Sequence, residues 1–220
     1  MKPRIAIDGP AGAGKSTVAR EVARRLGLAY LDTGAMYRAI TLAGLRQNAD
    51  LHNTAALEEL TRNSELDIQS APNGNIIYLN GENVTEDIRL PEVSRNVSYV
   101  ARCPEVRDIL VGKQREMGNR GGVVMDGRDI GTTVMPDAEF KFFLTASLEE
   151  RARRRLAELH AKGETLALEQ MVKEIGARDK IDSERECAPL RPAEDAIHLD
   201  TTALTKEEVI ESIVNRVSGK

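Results

Sequence analysis

Residues 5–17 read Ile-Ala-Ile-Asp-Gly-Pro-Ala-Gly-Ala-Gly-Lys-Ser-Thr: an apolar run ending at Asp8, a glycine-rich loop, and a Lys-Ser pair that opens a patterned segment. Gly9-Pro10-Ala11-Gly12-Ala13-Gly14-Lys15-Ser16 matches G-x-x-x-x-G-K-[ST] in the context that pattern requires, directly after a strand and at the start of a helix. The glycines let the backbone curl so that successive N–H groups and the helix amino terminus face a phosphate. Lys15 then reaches the transferring group, and Ser16 supplies an oxygen to magnesium. A glycine turn that only reverses the chain does not ask for Lys and Ser at its end.

Working outward, Val18, Val22 and Leu26 recur at four-residue intervals and predict a helix after the loop. Leu28 to Asp32 reads as a second strand, with Thr33 placed to cap a helix running through Leu45. Val123 to Asp126, Phe140 to Leu144 and Ala196 to Asp200 supply further strands; Pro104 starts a helix ending near Gly118, and Thr205 to Val217 forms a closing helix. This alternation predicts an α/β fold, a parallel sheet covered by helices on both faces, with ligands at the carboxyl ends of the strands. The alternation breaks between about Leu66 and Val84. There LDIQS and IIYLN flank Pro72, Asn73 and Gly74, and Asn80-Gly81 follows, predicting a small antiparallel insert. A highly charged helical stretch is expected from about Leu148 to Glu186.

The chain has 220 residues, 41% hydrophobic and 30% charged, which suits one large soluble domain rather than a disordered chain or a string of modules. Aromatic residues make up 3% and there is no Trp, so base-stacking platforms have little to build from. With 31 basic against 35 acidic residues, no field draws in nucleic acid. Lys2 and Arg4 precede an apolar run that Asp8 and Gly9 interrupt, and no uncharged stretch approaches the roughly 18 to 20 residues needed to cross a bilayer. No signal peptide, no membrane partner and a cytoplasmic location are therefore expected. Cys103 and Cys187 form no CxxC pair and are expected to be reduced thiols, while His52, His160 and His198 stand singly and predict no metal cluster.

Asp126 ends a predicted strand, where a carboxylate can sit beside the magnesium; a plain turn Asp before Gly127 is the alternative. On a helix, Arg178, Asp182 and Arg185 fall at i, i+4 and i+7, within about 60 degrees on one face. Arg151, Arg154 and Arg155 make a second cationic cluster, on a segment whose buried face carries Leu148, Ala152, Leu156 and Leu159. Either cluster also reads as ordinary solvated surface. The phosphate loop favours a role in neutralising a transferring phosphoryl group. No N-K-x-D, no ABC-type signature and no H-R-D loop is present, and nothing announces a base for deprotonating a hydroxyl. A nucleoside monophosphate needs none, since its phosphate has a second pKa of about 6. Two rivals stay open: a small-molecule kinase for UMP, AMP or a metabolite hydroxyl, and a noncatalytic nucleotide-dependent switch.

DGPAGAGKST (8–17), LDTGAMYR (31–38), Ser98 with Pro104-Glu105-Val106-Arg107, DGRDIGT (126–132), RDKIDSER (178–185) and APL (188–190) occur in one order. In combination these segments, spanning Ile5 to about Val217, resemble the cytidylate kinases, a family of nucleoside monophosphate kinases among the P-loop NTPases. The resemblance implies a single domain over 1–220: a five-stranded parallel core (about 1–38, 85–150 and 188–220), a monophosphate-binding region with the insert (about 39–84), and a helical lid (about 151–187). It implies ATP and magnesium as cofactors, CMP and dCMP as acceptors, and a monomer. Gly9, Pro10, Ala11, Gly12, Ala13, Gly14, Lys15, Ser16 and Thr17 would bind ATP, and Ser16 and Asp126 the metal. Arg38, Arg128 and Arg185 would hold the acceptor phosphate, Arg178 and Asp182 the ribose, and Ser98, Arg107 and Asp129 the cytosine. Thr33 and Tyr37 would line the same pocket, and Lys15, Arg128, Arg154 and Asp126 would act in catalysis.

Overall fold

A computed structural model describes residues 2–71, 74–161, 163 and 165–219. The apolar runs become five parallel strands, β1 (Arg4–Asp8), β2 (Ala29–Asp32), β6 (Val123–Gly127), β7 (Phe140–Thr145) and β8 (Ile197–Asp200), ordered β2-β6-β1-β7-β8. Burial on both faces explains why β1 and β6 are almost wholly apolar until their last residues. On one face α1 (Lys15–Leu26) and α8 (Lys206–Ser218) pack Val18, Val22, Ile210 and Ile213 against Ile5, Ile7 and Phe142. On the other, Ala6, Leu31 and Met125 meet Val111 of α5 (Pro104–Asn119) and the helical turn Ile130–Val134.

A separate apolar cluster runs from Ala35 to Leu110. It joins α2 (Thr33–Arg46), α3 (Thr54–Asn63), α4 (Pro91–Ala101) and α5 with the small sheet. That sheet is antiparallel as expected: β3 (Leu66–Ala71) pairs with β4 (Gly74–Leu79), and β4 with β5 (Glu82–Asn83). Asn80 and Gly81, both at positive φ (51° and 81°), make the tight β4–β5 turn. The Pro72-Asn73 part of the other turn lies outside the described residues. Asn75 ties the two sheets together, its side chain accepting from Asp32 N at 2.8 Å and donating to Tyr30 O at 2.8 Å. It thereby satisfies the exposed edge of β2 as a paired strand would.

Two local expectations are corrected and one is refined. Asp32, not Thr33, caps α2: its carboxylate accepts from Ala35 N, while Thr33 is already helical and donates its hydroxyl to Asp126 O at 2.7 Å. The helical stretch from Leu148 to Glu186 is divided into α6 (Leu148–His160) and α7 (Leu168–Glu184), with Gly163 at φ 83° between them. Their shared core is Ala152, Leu156, Leu159, Met171 and Ile175, and Ala11 of the phosphate loop packs into it. Arg185 lies just beyond α7 in extended backbone and so is not a third tooth on the helix face. Both cysteines are free thiols. Among the described residues no helix is long and apolar enough to cross a membrane.

Candidate active site

β1 runs between β6 and β7, so the loop after it opens at the carboxyl edge of the sheet, where ligands of such folds bind. The loop glycines are steric necessities. A side chain at Gly9 (φ 149°) would place Cβ 2.0 Å from Leu144 O, and at Gly12 (φ 75°) 2.8 Å from Arg151 O. Lys15 is 6% exposed and bends back to donate to Pro10 O at 2.7 Å. Burial, and then the repulsion of Arg128, hold its ammonium well below the usual lysine range. Thr17 is half-buried in the first turn of α1.

Ser16 Oγ donates to Asp126 Oδ2 at 2.7 Å, and Tyr30 OH donates to Asp126 Oδ1 at 2.8 Å. Burial, reinforced by the nearby Asp32, pushes the Asp126 carboxyl upward. A buried carboxylate beside a hydroxyl oxygen is the donor set a magnesium ion takes when nucleotide phosphates and water complete its shell. Among the described residues no cluster of three His, Cys, Asp or Glu side chains could hold a metal without such help.

Beside the loop lies a cavity lined by Thr33, Tyr37, Ser98, Arg107, Arg128, Asp129, Arg178, Asp182 and Arg185, with Gly34, Val97, Ala101 and Gly127. Residues from α2, α4, α5, α7 and the end of β6 thus meet in one place. Arg107 pairs with Asp129 Oδ2 and donates to Ala101 O at 3.2 Å, with its guanidinium 5.6 Å from the Tyr37 ring centroid. Arg185 Nη2 reaches Asp129 Oδ1 at 3.1 Å despite lying off the helix. Asp182 accepts from Ser98 Oγ at 3.0 Å and Arg128 Nε at 2.9 Å. Burial alone would raise Asp182, but Arg128, Arg178 and Arg185 around it bring it below the carboxylate range. Arg38 is outside the lining. It donates to Ile88 O at 3.3 Å and Ser94 Oγ at 2.8 Å, close enough to feel the charge of Arg178.

Among the described residues, three buried polar atoms lack a hydrogen-bond partner: Tyr37 OH, Arg107 Nε and Arg178 Nε. Buried polar groups are ordinarily satisfied, so atoms left unpaired beside one cavity are groups that a ligand there would engage. The cations agree. Arg178 is lowered to about 10 and Arg38 to about 9, first by burial and then by neighbouring arginines. An anion bound between them would offset both penalties.

The second predicted cationic cluster is built differently. Arg151 is buried, donating to Ala146 O at 2.9 Å and Ala11 O at 3.0 Å and pairing with Asp179. Asp179 in turn accepts from Ala11 N at 3.3 Å, so α7 touches the phosphate loop directly. Arg154 is held by Glu150 and Thr201, and Arg155 by Glu158.

A family model described as "Cytidylate kinase" matches residues 5–219. The chain belongs to the cytidylate kinase family. It is 56% identical over 219 residues to a cytidylate kinase of Bacillus velezensis, covering 100% of this chain and 98% of that one. A cytidylate kinase of Bacillus cereus is 54% identical over 215 residues, covering 98% and 96%. Among solved structures, an uncharacterized protein from Eubacterium ventriosum shares the fold, at 12% identity, a TM-score of 0.54 and full coverage of both chains.

Reading the sequence did not single out Asp8, Tyr30, Asn75 or Asp179. Asp8 and Asp179 stand inside the quoted motifs. Tyr30 and Asn75 carry no local signal, because their partners come from β6 and β2 respectively.

Proposed function

We propose that this family member transfers the γ-phosphoryl group of ATP to CMP and dCMP, yielding ADP and CDP or dCDP. The observation that carries the proposal is the set of unpaired buried donors, Arg107 Nε, Tyr37 OH and Arg178 Nε, beside a phosphate loop in a cavity lined by further arginines. ATP would occupy residues 9–17, with magnesium between Ser16, Asp126 and the donor phosphates; bound there, the metal neutralises charge on the transferring group. Arg38, Arg128 and Arg185 would hold the acceptor phosphate, and Arg178 and Asp182 the ribose. Arg107, Asp129 and Ser98 would read the base: cytosine offers acceptors at N3 and O2 to an Arg and its N4 amino group to a carboxylate, whereas uracil turns O4 toward that carboxylate.

No base is required. Both carboxylates lining the cavity, Asp129 and Asp182, are engaged by arginines, and the CMP phosphate is mostly dianionic at neutral pH. Catalysis would come from preorganised cations, with Lys15, Arg128 and Arg154 facing the transferring group. Closure of the region 151–187 over the region 39–84 would exclude water and prevent hydrolysis of ATP. A cytoplasmic monomer completes the reading. The test is product analysis with ATP and a panel of CMP, dCMP, UMP, AMP and shikimate. Equal amounts of ADP and CDP, with CMP and dCMP preferred, are expected. ADP formation independent of any acceptor, or best turnover with AMP or shikimate, would overturn the proposal.

A further inference from the structure

Asp129 stands at the position that caps the helical turn Ile130–Val134, with φ −147°. An Asp there ordinarily folds its carboxylate back onto the amide two or three residues on. Asp129 does not. Its side chain makes no cap bond, and its oxygens go to Arg107 and Arg185 instead. One of the amides it would have taken is already occupied: Gly131 N donates to Asp8 Oδ2 at 2.7 Å, and the amide before it, Ile130 N, donates to Asp8 Oδ1 at 2.8 Å. Asp8 is 4% exposed, ends β1 and directly precedes Gly9. A Cβ at Gly131 would lie 3.4 Å from Asp8 Oδ2, an ordinary contact, and 3.2 Å from Lys141 Cδ, a tight one.

We propose that Asp8 is a positioning residue for the acceptor site: it caps the 130–134 turn from a distant strand and so keeps the Asp129 carboxylate turned toward Arg107 and Arg185. The proposal deepens the reading of Asp129 as a cytosine contact and rests on it. Asp8 also fixes the first residue of the donor loop and the acceptor carboxylate to one point, so the two half-sites keep a constant separation.

The test is Asp8→Asn, assayed at pH 8 where the parent carboxylate is charged. The amide keeps one acceptor and turns an N–H toward the second backbone donor, leaving Asp129 free to swing back onto it. The KM for CMP should rise about tenfold, as expected for loss of one buried hydrogen bond to a charged group, while the KM for ATP stays within about twofold. The CMP:UMP preference should narrow, with no further narrowing when Asp8→Asn is added to Asp129→Ala. Gly131→Ala, which presses on Lys141 Cδ and touches Asp8 Oδ2 without removing it, should give a weaker form of the same split and serves if Asp8→Asn folds poorly. Parallel rises in both KM values, an unchanged KM for CMP, or full additivity with Asp129→Ala would overturn the proposal. If Asp129→Ala alone leaves the CMP:UMP ratio unchanged, the cytosine reading fails; the KM split still decides the role of Asp8, because Asp129 also holds Arg107 and Arg185.

Discussion

The two halves of the site are made in different ways. The proposed donor half is one contiguous loop, whose shape follows from glycines at positive φ and which would offer backbone amides and one lysine to a phosphate. The acceptor half is gathered from five elements far apart in the chain and held by Arg107–Asp129, Arg185–Asp129 and Arg128–Asp182 ion pairs. A loop of the first kind works wherever strand and helix place it. The second kind depends on packing, and Arg107, Arg185 and Arg128 are each held by a carboxylate. Buried pairs of this sort add little net stability, since desolvation offsets attraction, yet breaking one is costly. Their value here is orientation.

Substitutions should therefore separate the halves. The largest effect is expected from Lys15→Ala, which should cut kcat by about a hundredfold or more at saturating substrates, as loss of one preorganised transition-state donor does. Near-normal turnover in a stopped assay would remove Lys15 from its role. Asp129→Ala should act on the other half: an increased KM for CMP, an unchanged KM for ATP, and a CMP:UMP preference reduced by the equivalent of roughly 1–3 kcal/mol. Steady-state kinetics on both acceptors reads it directly, and equal loss for CMP and UMP would make Asp129 a structural group alone. Ser98→Ala takes a neutral hydroxyl from Asp182, so only a few-fold rise in the KM for CMP is expected, in line with about 0.5–1.5 kcal/mol for such a bond. A fall in kcat with no change in KM would contradict it.

A further effect is expected on stability rather than on turnover. Burial raises Asp8 to about 6, against the hydrogen bonds from Gly131 and Ile130, from an ordinary value of 3.8. Because the folded value is the higher one, the stability it contributes is fully present below about pH 4 and is lost as pH rises through about 6. The thermal midpoint of the nucleotide-free protein, compared with Asp8→Asn across that interval, should show the extra downward slope only in the parent. Matching slopes would mean that Asp8 titrates as an ordinary carboxylate.

This same contrast explains what was legible in the sequence. The phosphate loop, the strand–helix alternation and the small antiparallel insert are local patterns, and they can be read without knowing the fold. Asp126 was legible as a strand-end carboxylate, but its hold by Tyr30 was not, since nothing in the β2 sequence says which hydroxyl will face β6. The Arg178–Asp182 spacing predicted a shared face, whereas the end of α7 before Arg185 is set by where the chain must turn back toward β8. Arg151 had the same look as Arg154 and Arg155; only packing distinguishes the guanidinium buried against Ala11 from the two that lie further out. Thr33 and Asp32 are both good capping residues one position apart, and the choice between them falls to the Thr33 bond across to β6.

The central claim is that buried cations on both halves converge on one phosphoryl group, with no proton-abstracting side chain between them. Its most direct test is a crystal structure of the protein with CMP and a nonhydrolysable ATP analogue. The CMP phosphate is expected among Arg38, Arg128 and Arg185, with the cytosine edge on Arg107 and Asp129 and the donor γ-phosphate facing it beside Lys15. CMP bound away from this cavity, or an Asp or His side chain inserted between the two phosphates, would contradict the account.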